Sequence, residues 1–367
     1  MQGAKGRVIE AMAAPIRVGL VGTGYAAKKR AEALVENPRS HLVAVAGRTP
    51  ETVNTFASEY QATPCPNWQA LVAREDLDLV VVANANWQHS AIARAALQAN
   101  KHVVVEYPLA LNLAEAQALA ELAAQRQKLL HVEHIELLGG LHQAIRQHLP
   151  SLGQPAWARY ATLKPQHPAP RRWTYHPACF GFPLIGALSR LSRLVDLFGE
   201  VATVICQAQV WQTGADASGL IPRPWSVVEA GWEKGGCDRA TPNLDHCYQA
   251  CLCKAQLQFA NGTLADVVYG KGECCWQAER CFEIHGSKAG LIFQGDQGQM
   301  IQPDATQPIE VGKRRGLFVK ETALILEHLQ AGTPLYVSLN HSLRTLRIAE
   351  AAKQAAITGQ PISSLVI

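Results

Sequence analysis

The stretch Val18-Gly19-Leu20-Val21-Gly22-Thr23-Gly24-Tyr25-Ala26-Ala27 constrains this chain more than any other. An apolar strand runs into a Gly-x-Gly-x-x-Ala turn and a helix begins at once, the arrangement that receives the pyrophosphate of a dinucleotide. Gly22 permits the tight turn, Gly24 lets the backbone approach a phosphate, and Ala27 lets helix and strand pack closely. Unpaired N–H groups at the helix N-terminus then face the anion. Gly22, Gly24, Tyr25, Ala26 and Ala27 are therefore the expected cofactor-binding residues of the turn. A lone motif of this kind is weak evidence. Here it opens a strand–helix series, and the chain reads as a nicotinamide-dependent oxidoreductase.

The series continues with strands expected at Ile16–Val21, His41–Ala46, Leu79–Ala83, His102–Glu106 and Leu129–Glu133. They are short, Val-rich and apolar on both faces, as a parallel sheet covered by helices requires. Helical patterns lie between them, near Ala26–Glu36, Pro50–Glu59, Gln88–Gln98 and Leu113–Gln127. Beyond a helix at Leu141–Leu149 the pattern becomes a succession of strands, at 157–163, 203–211, 247–259, 264–269, 281–285 and 291–293, with Asn261-Gly262 as a hairpin turn. One helix, Leu184–Phe198, interrupts them, and helices over 319–330 and 341–358 close the chain. The expected fold is α/β: an N-terminal Rossmann doubly wound parallel sheet, then a C-terminal α+β domain with a large, mostly antiparallel sheet. The expected division is a tail over 1–15, a dinucleotide-binding domain over 16–137 and a substrate domain over 138–367, with 214–244 as a Gly- and Pro-rich loop or insertion.

The chain has 367 residues, 48% hydrophobic and 17% charged, enough for two domains with real cores. The net charge is +4 and basic residues are scattered, which argues against a nucleic-acid partner. No apolar run approaches the roughly 20 residues of a membrane span. Met1–Pro15 has no sustained apolar run, so no secretory signal is expected and the location reads as cytoplasmic. That stretch reads either as a frayed tail or as lying upstream of a start at Met12. The ten cysteines are expected to stay reduced. The Cys247-x₃-Cys251-x-Cys253 spacing beside His246 matches no common zinc pattern, and no metal is expected.

The residue at the end of the second strand sorts the two nicotinamide nucleotides. An acid there binds a ribose 2′-hydroxyl, whereas arginine accommodates a 2′-phosphate. Here the strand runs into Gly47-Arg48-Thr49, with no acid. Arg48 and Thr49 join the expected cofactor-binding residues, and NADPH is the expected cofactor, with NADH the weaker alternative.

Further motifs follow: Ala83-Asn84-Ala85-Asn86-Trp87-Gln88-His89 and Val105-Glu106-Tyr107-Pro108. With the opening turn and the C-terminal helix before Gly359, these resemble the glucose–fructose oxidoreductase and inositol dehydrogenase family. The resemblance implies cofactor contacts at Asn84, Asn86, His89 and Glu106. Two departures matter. Tyr107 stands where that family carries a catalytic lysine, and Phe180–Arg193 lacks the family's Asp and His. Oxidising a sugar hydroxyl needs a base, and both usual bases are missing. The departures themselves are similar to the biliverdin reductase family, cyanobacterial branch. Glu106-Tyr107-Pro108-Leu109, the run Leu130–Leu138, Phe180-Gly181-Phe182-Pro183 and Ser189-Arg190-Leu191 all agree with it.

That resemblance implies NADPH-dependent reduction of biliverdin IXα at its C10 methine bridge to bilirubin, a step of heme degradation and tetrapyrrole metabolism. The expected catalytic residues are Arg190, Tyr107 and Glu106. Arg190 is the first choice, acting electrostatically because a guanidinium is a poor proton donor. The expected substrate-binding residues are Arg190, Arg193, Glu133, Glu136 and Tyr107. Arg193 is expected either to meet a propionate or to serve as an ion-pair partner. Glu133 and Glu136 either position water and pyrrole N–H groups or form structural salt bridges. His89, His131 and His134 could titrate near neutral pH, and a structural role is expected for each, in His89 as the alternative to its cofactor contact. Arg171-Arg172 and Lys313-Arg314-Arg315 read as propionate contacts or solvated faces. Pairing into a homodimer through the open face of the second sheet is expected by analogy. Two other readings stay open: an NAD(P)-dependent sugar or polyol dehydrogenase of the same fold, and a non-catalytic NADPH-binding sensor.

Overall fold

Short Val-rich strands, buried on both faces, build the first sheet of the computed structural model, which describes residues 14–213, 219–229, 246–313 and 315–363. They are β1 (Ile16–Val21), β2 (Ser40–Ala46), β3 (Thr63–Cys65), β4 (Leu79–Val82), β5 (His102–Val105) and β6 (Leu130–Val132). All pair in parallel, in the order β3-β2-β1-β4-β5-β6. The order reverses between β1 and β4, so the ligand crevice of such a sheet opens above their carboxyl ends. Helices α1 (Tyr25–Glu36), α2 (Pro50–Glu59), α3 (Trp68–Val72), α4 (His89–Gln98) and α5 (Leu113–Arg126) make the crossovers. The pair β3 and α3 escaped the sequence pattern. A three-residue edge strand containing Pro64, followed by a five-residue helix, carries too few periods to register.

After α6 (Gly140–His148) the chain builds a sheet of ten strands. These are β7 (Pro155–Pro165), β8 (Val201–Thr213), β9 (Leu220–Pro224), β10 (Ala250–Phe259), β11 (Leu264–Gly272), β12 (Glu279–Gly286), β13 (Gly290–Gln294), β14 (Gln297–Gln302), β15 (Ala305–Ile309) and β16 (Ile362–Ser363). Every pairing is antiparallel except β7 with β11. The expected α/β plus α+β architecture is therefore present. Alternation sets the faces. Along β10, Cys251, Cys253, Ala255, Leu257 and Phe259 are buried, while Leu252, Lys254, Gln256 and Gln258 face out. Gly262, at φ 89°, turns the β10–β11 hairpin. The strands β9, β14, β15 and β16 were not expected. They are short and mostly exposed, so they lack an apolar alternation.

Three corrections concern the segments around this sheet. The helix expected over 184–198 is two, α7 (Pro183–Gly186) and α8 (Ser189–Phe198). A Cβ at Gly186 would come within 2.5 Å of the Phe180 ring, and the chain bends at Ala187. Ser189 and Arg190 therefore open a new first turn. Of the segment 214–244, residues 219–229 are not a free loop. β9 adds to β8, and Trp225 is fully buried, edge-on to Phe182 at 5.3 Å. The rest of that segment, the stretch 1–13 and Arg314 lie outside the described residues. Finally, helix Leu317–Ala331 lies within the span expected for the substrate domain yet packs on the first domain. It packs on α1, with Ile325 in the same core as Val18, Leu20 and Ala31. The C-terminal helix, Leu339–Thr358, lies against α8 and β8 and stops at Gly359, φ 73°. Among the described residues no helix is long and apolar enough to cross a membrane.

Trp225 ties the inserted segment to the core beneath Phe182. Trp225→Ala is expected to cost about 3–5 kcal/mol. In urea unfolding, the midpoint should fall while the slope is kept.

Candidate active site

The turn after β1 has the conformation its glycines allow. Gly22 sits at φ 130°, and a Cβ there would lie 2.3 Å from the Ala83 carbonyl oxygen. Gly24 has nothing within 4 Å of where its Cβ would be, so the fold leaves the space above it empty. Gly24 caps α1 without a side-chain bond, and the first turn carries no acid. The first intrahelical bond is Lys28 N–H to Gly24 (2.9 Å), so the N–H groups of Tyr25, Ala26 and Ala27 precede the ladder. At the end of β2, Arg48 is exposed and makes no ion pair among the described residues. Thr49 Oγ1 is bonded to Thr52 Oγ1 (2.8 Å). At the end of β4, the Asn84 Nδ2 donates to Gln88 (2.7 Å), while its Oδ1 is buried without a partner. The empty cradle, the open helix terminus, the unpaired Arg48 and the orphaned Asn84 oxygen fit a dinucleotide with a 2′-phosphate.

Two expected cofactor residues are engaged elsewhere. His89 is fully buried, with Nδ1 2.8 Å from the Pro108 carbonyl and Nε2 3.3 Å from that of Asn84. Burial holds its ring below the usual histidine range, hence neutral. His89 thus pins two loops of the crevice and offers no free nitrogen to a cofactor. The Asn86 Nδ2 donates to the Phe180 carbonyl (3.1 Å), which ties the cofactor domain to the segment before α7.

Behind the crevice lies an ionic cluster that sequence reading missed. Arg30 of α1, 1% exposed, donates from Nε to Glu106 Oε1 (2.8 Å) and pairs through Nη2 with Glu321 Oε2 (2.5 Å). Glu321 also meets His131 Nε2 (3.0 Å) and accepts from Tyr336 Oη (2.5 Å). Burial works to raise Glu321, yet Arg30, His131 and Tyr336 outweigh it and hold the carboxyl down at about 2. Glu106 and Glu133 go the other way. Burial lifts both, and mutual repulsion with Glu136 and Glu321 lifts Glu133 well above the carboxylate range despite Arg30. Glu133 is thus pushed toward its neutral form beside Glu106, while its Oε1 accepts from Ile135 N–H (2.6 Å). The Glu106 carboxylate, expected at the nicotinamide, is held by Arg30. No local pattern could join Arg30 to a residue 291 positions away.

The cleft itself joins the end of β5 to the first turn of α8. Ser189 Oγ donates to Tyr107 Oη (3.1 Å) and accepts from Arg190 Nη1 (2.8 Å). The Tyr107 hydroxyl thus keeps its own proton free to donate. Burial pushes that hydroxyl further up, with Glu136 adding and Arg190 opposing. The Arg190 guanidinium lies over Tyr269 of β11 (5.3 Å), and its Nε has no partner. Arg193, one turn on and 3% exposed, lies over Tyr160 of β7 (5.8 Å), with Nε and Nη1 unpartnered. Glu136 is half-buried, its Oε2 unpartnered. Tyr107 stacks on His134 at 6.2 Å. The His134 Nε2 meets Ser342 Oγ (2.9 Å), and burial with two histidine neighbours keeps its ring neutral. His131 is the partner of Glu321, so both histidines are structural. Arg171, Arg172, Lys313 and Arg315 are exposed on loops. A surface cavity of about 520 Å³ lined by His102, Lys128 and His328 lies at the opposite, amino ends of β5 and β6. The described cysteines are all free, and no metal-holding cluster occurs among the described residues.

Glu133 and Glu321 should show opposite pH dependence. A carboxyl raised on folding adds stability below its unfolded value of 4.5 and loses it above. Relative to Glu133→Gln, the native protein should therefore lose about 1.4 kcal/mol per pH unit above pH 4.5, until Glu133 ionises. Chemical denaturation at pH 5, 6 and 7 checks this, and a constant difference would refute it.

Residues 16–134 match the model of an oxidoreductase family with an NAD-binding Rossmann fold, and residues 144–363 match that family's C-terminal α/β domain. A crystal structure of biliverdin reductase in complex with biliverdin and NADP+, from Synechocystis sp. PCC 6803, superimposes with a TM-score of 0.83. It is 47% identical, over 93% of this chain and 99% of that one. Biliverdin reductase A of Mus musculus is 38% identical over 133 residues and that of Homo sapiens 34% over 133 residues. Those stretches span about two fifths of the curated relatives' length, 41% and 42%. They cover 35% and 36% of this chain. The chain belongs to this oxidoreductase family of NAD-binding Rossmann fold and C-terminal α/β domain, and is similar along nearly its whole length to a cyanobacterial biliverdin reductase.

Proposed function

We propose that this protein reduces biliverdin IXα to bilirubin with NADPH. The observation that carries the reading is the Arg190–Ser189–Tyr107 chain at the carboxyl end of β5. It offers hydrogen-bond donors and a fixed positive charge, and no group able to take a proton from a carbinol. Such a site suits an electrophile that gains negative charge. It does not suit a sugar hydroxyl that must lose a proton. The likeness to the Synechocystis enzyme supports the same substrate and nucleotide.

The residues would hold the nucleotide as follows. The α1 terminus with Gly22, Gly24, Tyr25, Ala26 and Ala27 receives the pyrophosphate, Arg48 and Thr49 the 2′-phosphate, and Asn84 the ribose–nicotinamide end. When bound, NADPH supplies a hydride. The C10 methine carbon of the pigment accepts it and a pyrrole nitrogen takes a proton. Arg190 stabilises the charge that develops on the pigment, because its Nε is buried and unpaired and so acts in a local low dielectric. Tyr107 orients the ring system and presents the hydroxyl proton that Ser189 leaves free. Glu136 faces the pyrrole N–H groups, and Arg193 takes a propionate. Glu106, with Glu133 behind it, positions the β5 end through Arg30. Ile205, Leu252 and Leu264 on the outward face of the second sheet support pairing of two copies there.

The test is loss of the bile-pigment red band and gain of the bilirubin band on mixing protein, NADPH and biliverdin. No conversion between about pH 5 and 8 would sink the proposal. Arg190→Ala is expected to lower kcat by about 10²–10³ with the fold intact. Arg48→Ala is expected to raise KM for NADPH about tenfold and leave that for NADH unchanged, since one charge-assisted contact is lost.

A further inference from the structure

Lys271 carries a buried positive charge that none of these roles uses. It lies on β11 two residues beyond Tyr269, is 4% exposed, and faces Cys251 across the β10–β11 ladder. Its ammonium has no carboxylate partner among the described residues. Aromatic rings surround it instead, with Phe180 at 3.6 Å, Tyr175 at 4.7 Å, Tyr248 at 5.4 Å and Tyr269 at 5.9 Å. It donates one hydrogen bond, to the carbonyl of Thr174. The other charged or titratable groups facing it are Cys251 from β10, Lys164 from β7, Arg172 from the preceding loop and Arg190 from α8. Three of these are cations and oppose its charge. An ammonium stripped of water and left without a counter-ion is costly, and ring faces only partly replace its hydration.

What the ammonium holds is the segment 166–182, which runs from β7 to α7 and ends beside the cleft. Thr174 and Tyr175 lie at its middle. Tyr175 Oη donates to Gln166, and the Tyr175 carbonyl accepts from Tyr248 N–H (3.0 Å). Phe180 lies at its end. Its ring covers the ammonium on one side, and its carbonyl accepts from Asn86 of the cofactor domain (3.1 Å). The chain then passes through α7 directly to Ser189 and Arg190. A short line of contacts thus runs from Lys271 through the segment to the cofactor crevice.

We propose that Lys271 is a positioning residue: its ammonium clamps the segment 166–182, through Phe180 and Asn86 the clamp fixes the second sheet against the cofactor domain, and loss of the proton releases it. Burial lowers this lysine from 10.5 to about 8, with Lys164, Arg172 and Arg190 adding and Cys251 opposing, so release falls in an accessible range. The activity part of the inference rests on the reductase reading. The structural part does not.

The test compares the full-length protein with Lys271→Met and Lys271→Arg. The first readout is kcat/KM for biliverdin from pH 6.5 to 9.5. The second is amide-exchange protection of residues 166–182 without pigment, corrected for the intrinsic effect of pH. In the native protein the charged fraction falls about tenfold between pH 7 and 9, and kcat/KM should fall with it, mainly through KM. Lys271→Met should be low and flat over that range, and Lys271→Arg should move the fall above pH 9.5. Protection of the segment should drop in parallel in the native protein and be low throughout in Lys271→Met. Global stability should move the opposite way. A lysine depressed on folding binds its proton in the unfolded chain up to pH 10.5, so the stability of the native protein relative to Lys271→Met rises from pH 8 to 10.5. Unchanged protection in Lys271→Met, or a native profile without the fall, overturns the proposal. Should Lys271→Met not fold, pH-independent protection in the native protein overturns it. Absence of biliverdin turnover at every pH would defeat the reductase reading alone, and the exchange data would still decide on Lys271.

Discussion

The organisation of this molecule depends on one buried guanidinium. Arg30 leaves the helix that opens at the phosphate turn and reaches two carboxylates, one at the end of β5 and one on a helix nearly three hundred residues later. Removing that charge would strand Glu106 and Glu321 in a dry interior, and breaking such a buried pair costs about 3–5 kcal/mol. The cluster sets the position of the β5 end, where Tyr107 follows Glu106 directly, and it holds helix Leu317–Ala331 on α1. The geometry of the cleft and the return of the chain to the first domain are thus one electrostatic arrangement. Its excess of carboxylates over cations pushes Glu133 toward its neutral form.

The cleft follows a different rule. Arg193 and Lys271 are withdrawn from water and Arg190 is half-buried, and each rests on aromatic rings and not on a carboxylate. Ring faces hold a cation without neutralising it, so the field stays available to a ligand. Burial keeps the rings of His89, His134 and His341 neutral, and the histidines nearby are committed to Ser342, Ser192, Glu321 or backbone carbonyls. The two guanidinium charges are fixed, whereas Lys271 can lose its proton.

Much of this was legible beforehand, and the pattern of what was missed is physical. Strand and helix positions in the first domain came from period and from apolar runs, and the nucleotide turn from three small residues. The break between α7 and α8 was invisible because the Phe180 ring against Gly186 lies in tertiary packing. Residues 219–229 looked like loop because Trp225 finds its neighbour, Phe182, only in the folded chain. His89 and Glu106 were assigned to the cofactor from their place in a motif, whereas their partners are the Pro108 carbonyl and Arg30.

The sequence by itself determined the α/β plus α+β class and the glycine turn after β1, and it offered Arg48 and Tyr107 as candidates. Those features are local, since each depends on residue type within a few positions. Only the tertiary structure decided which charges are paired and which are free. The Arg30 cluster, the unpartnered faces of Arg190 and Arg193, and the aromatic enclosure of Lys271 join residues up to 291 positions apart, and sequence spacing carries no signal at that range. Charge state follows burial and partners, and both are properties of the fold.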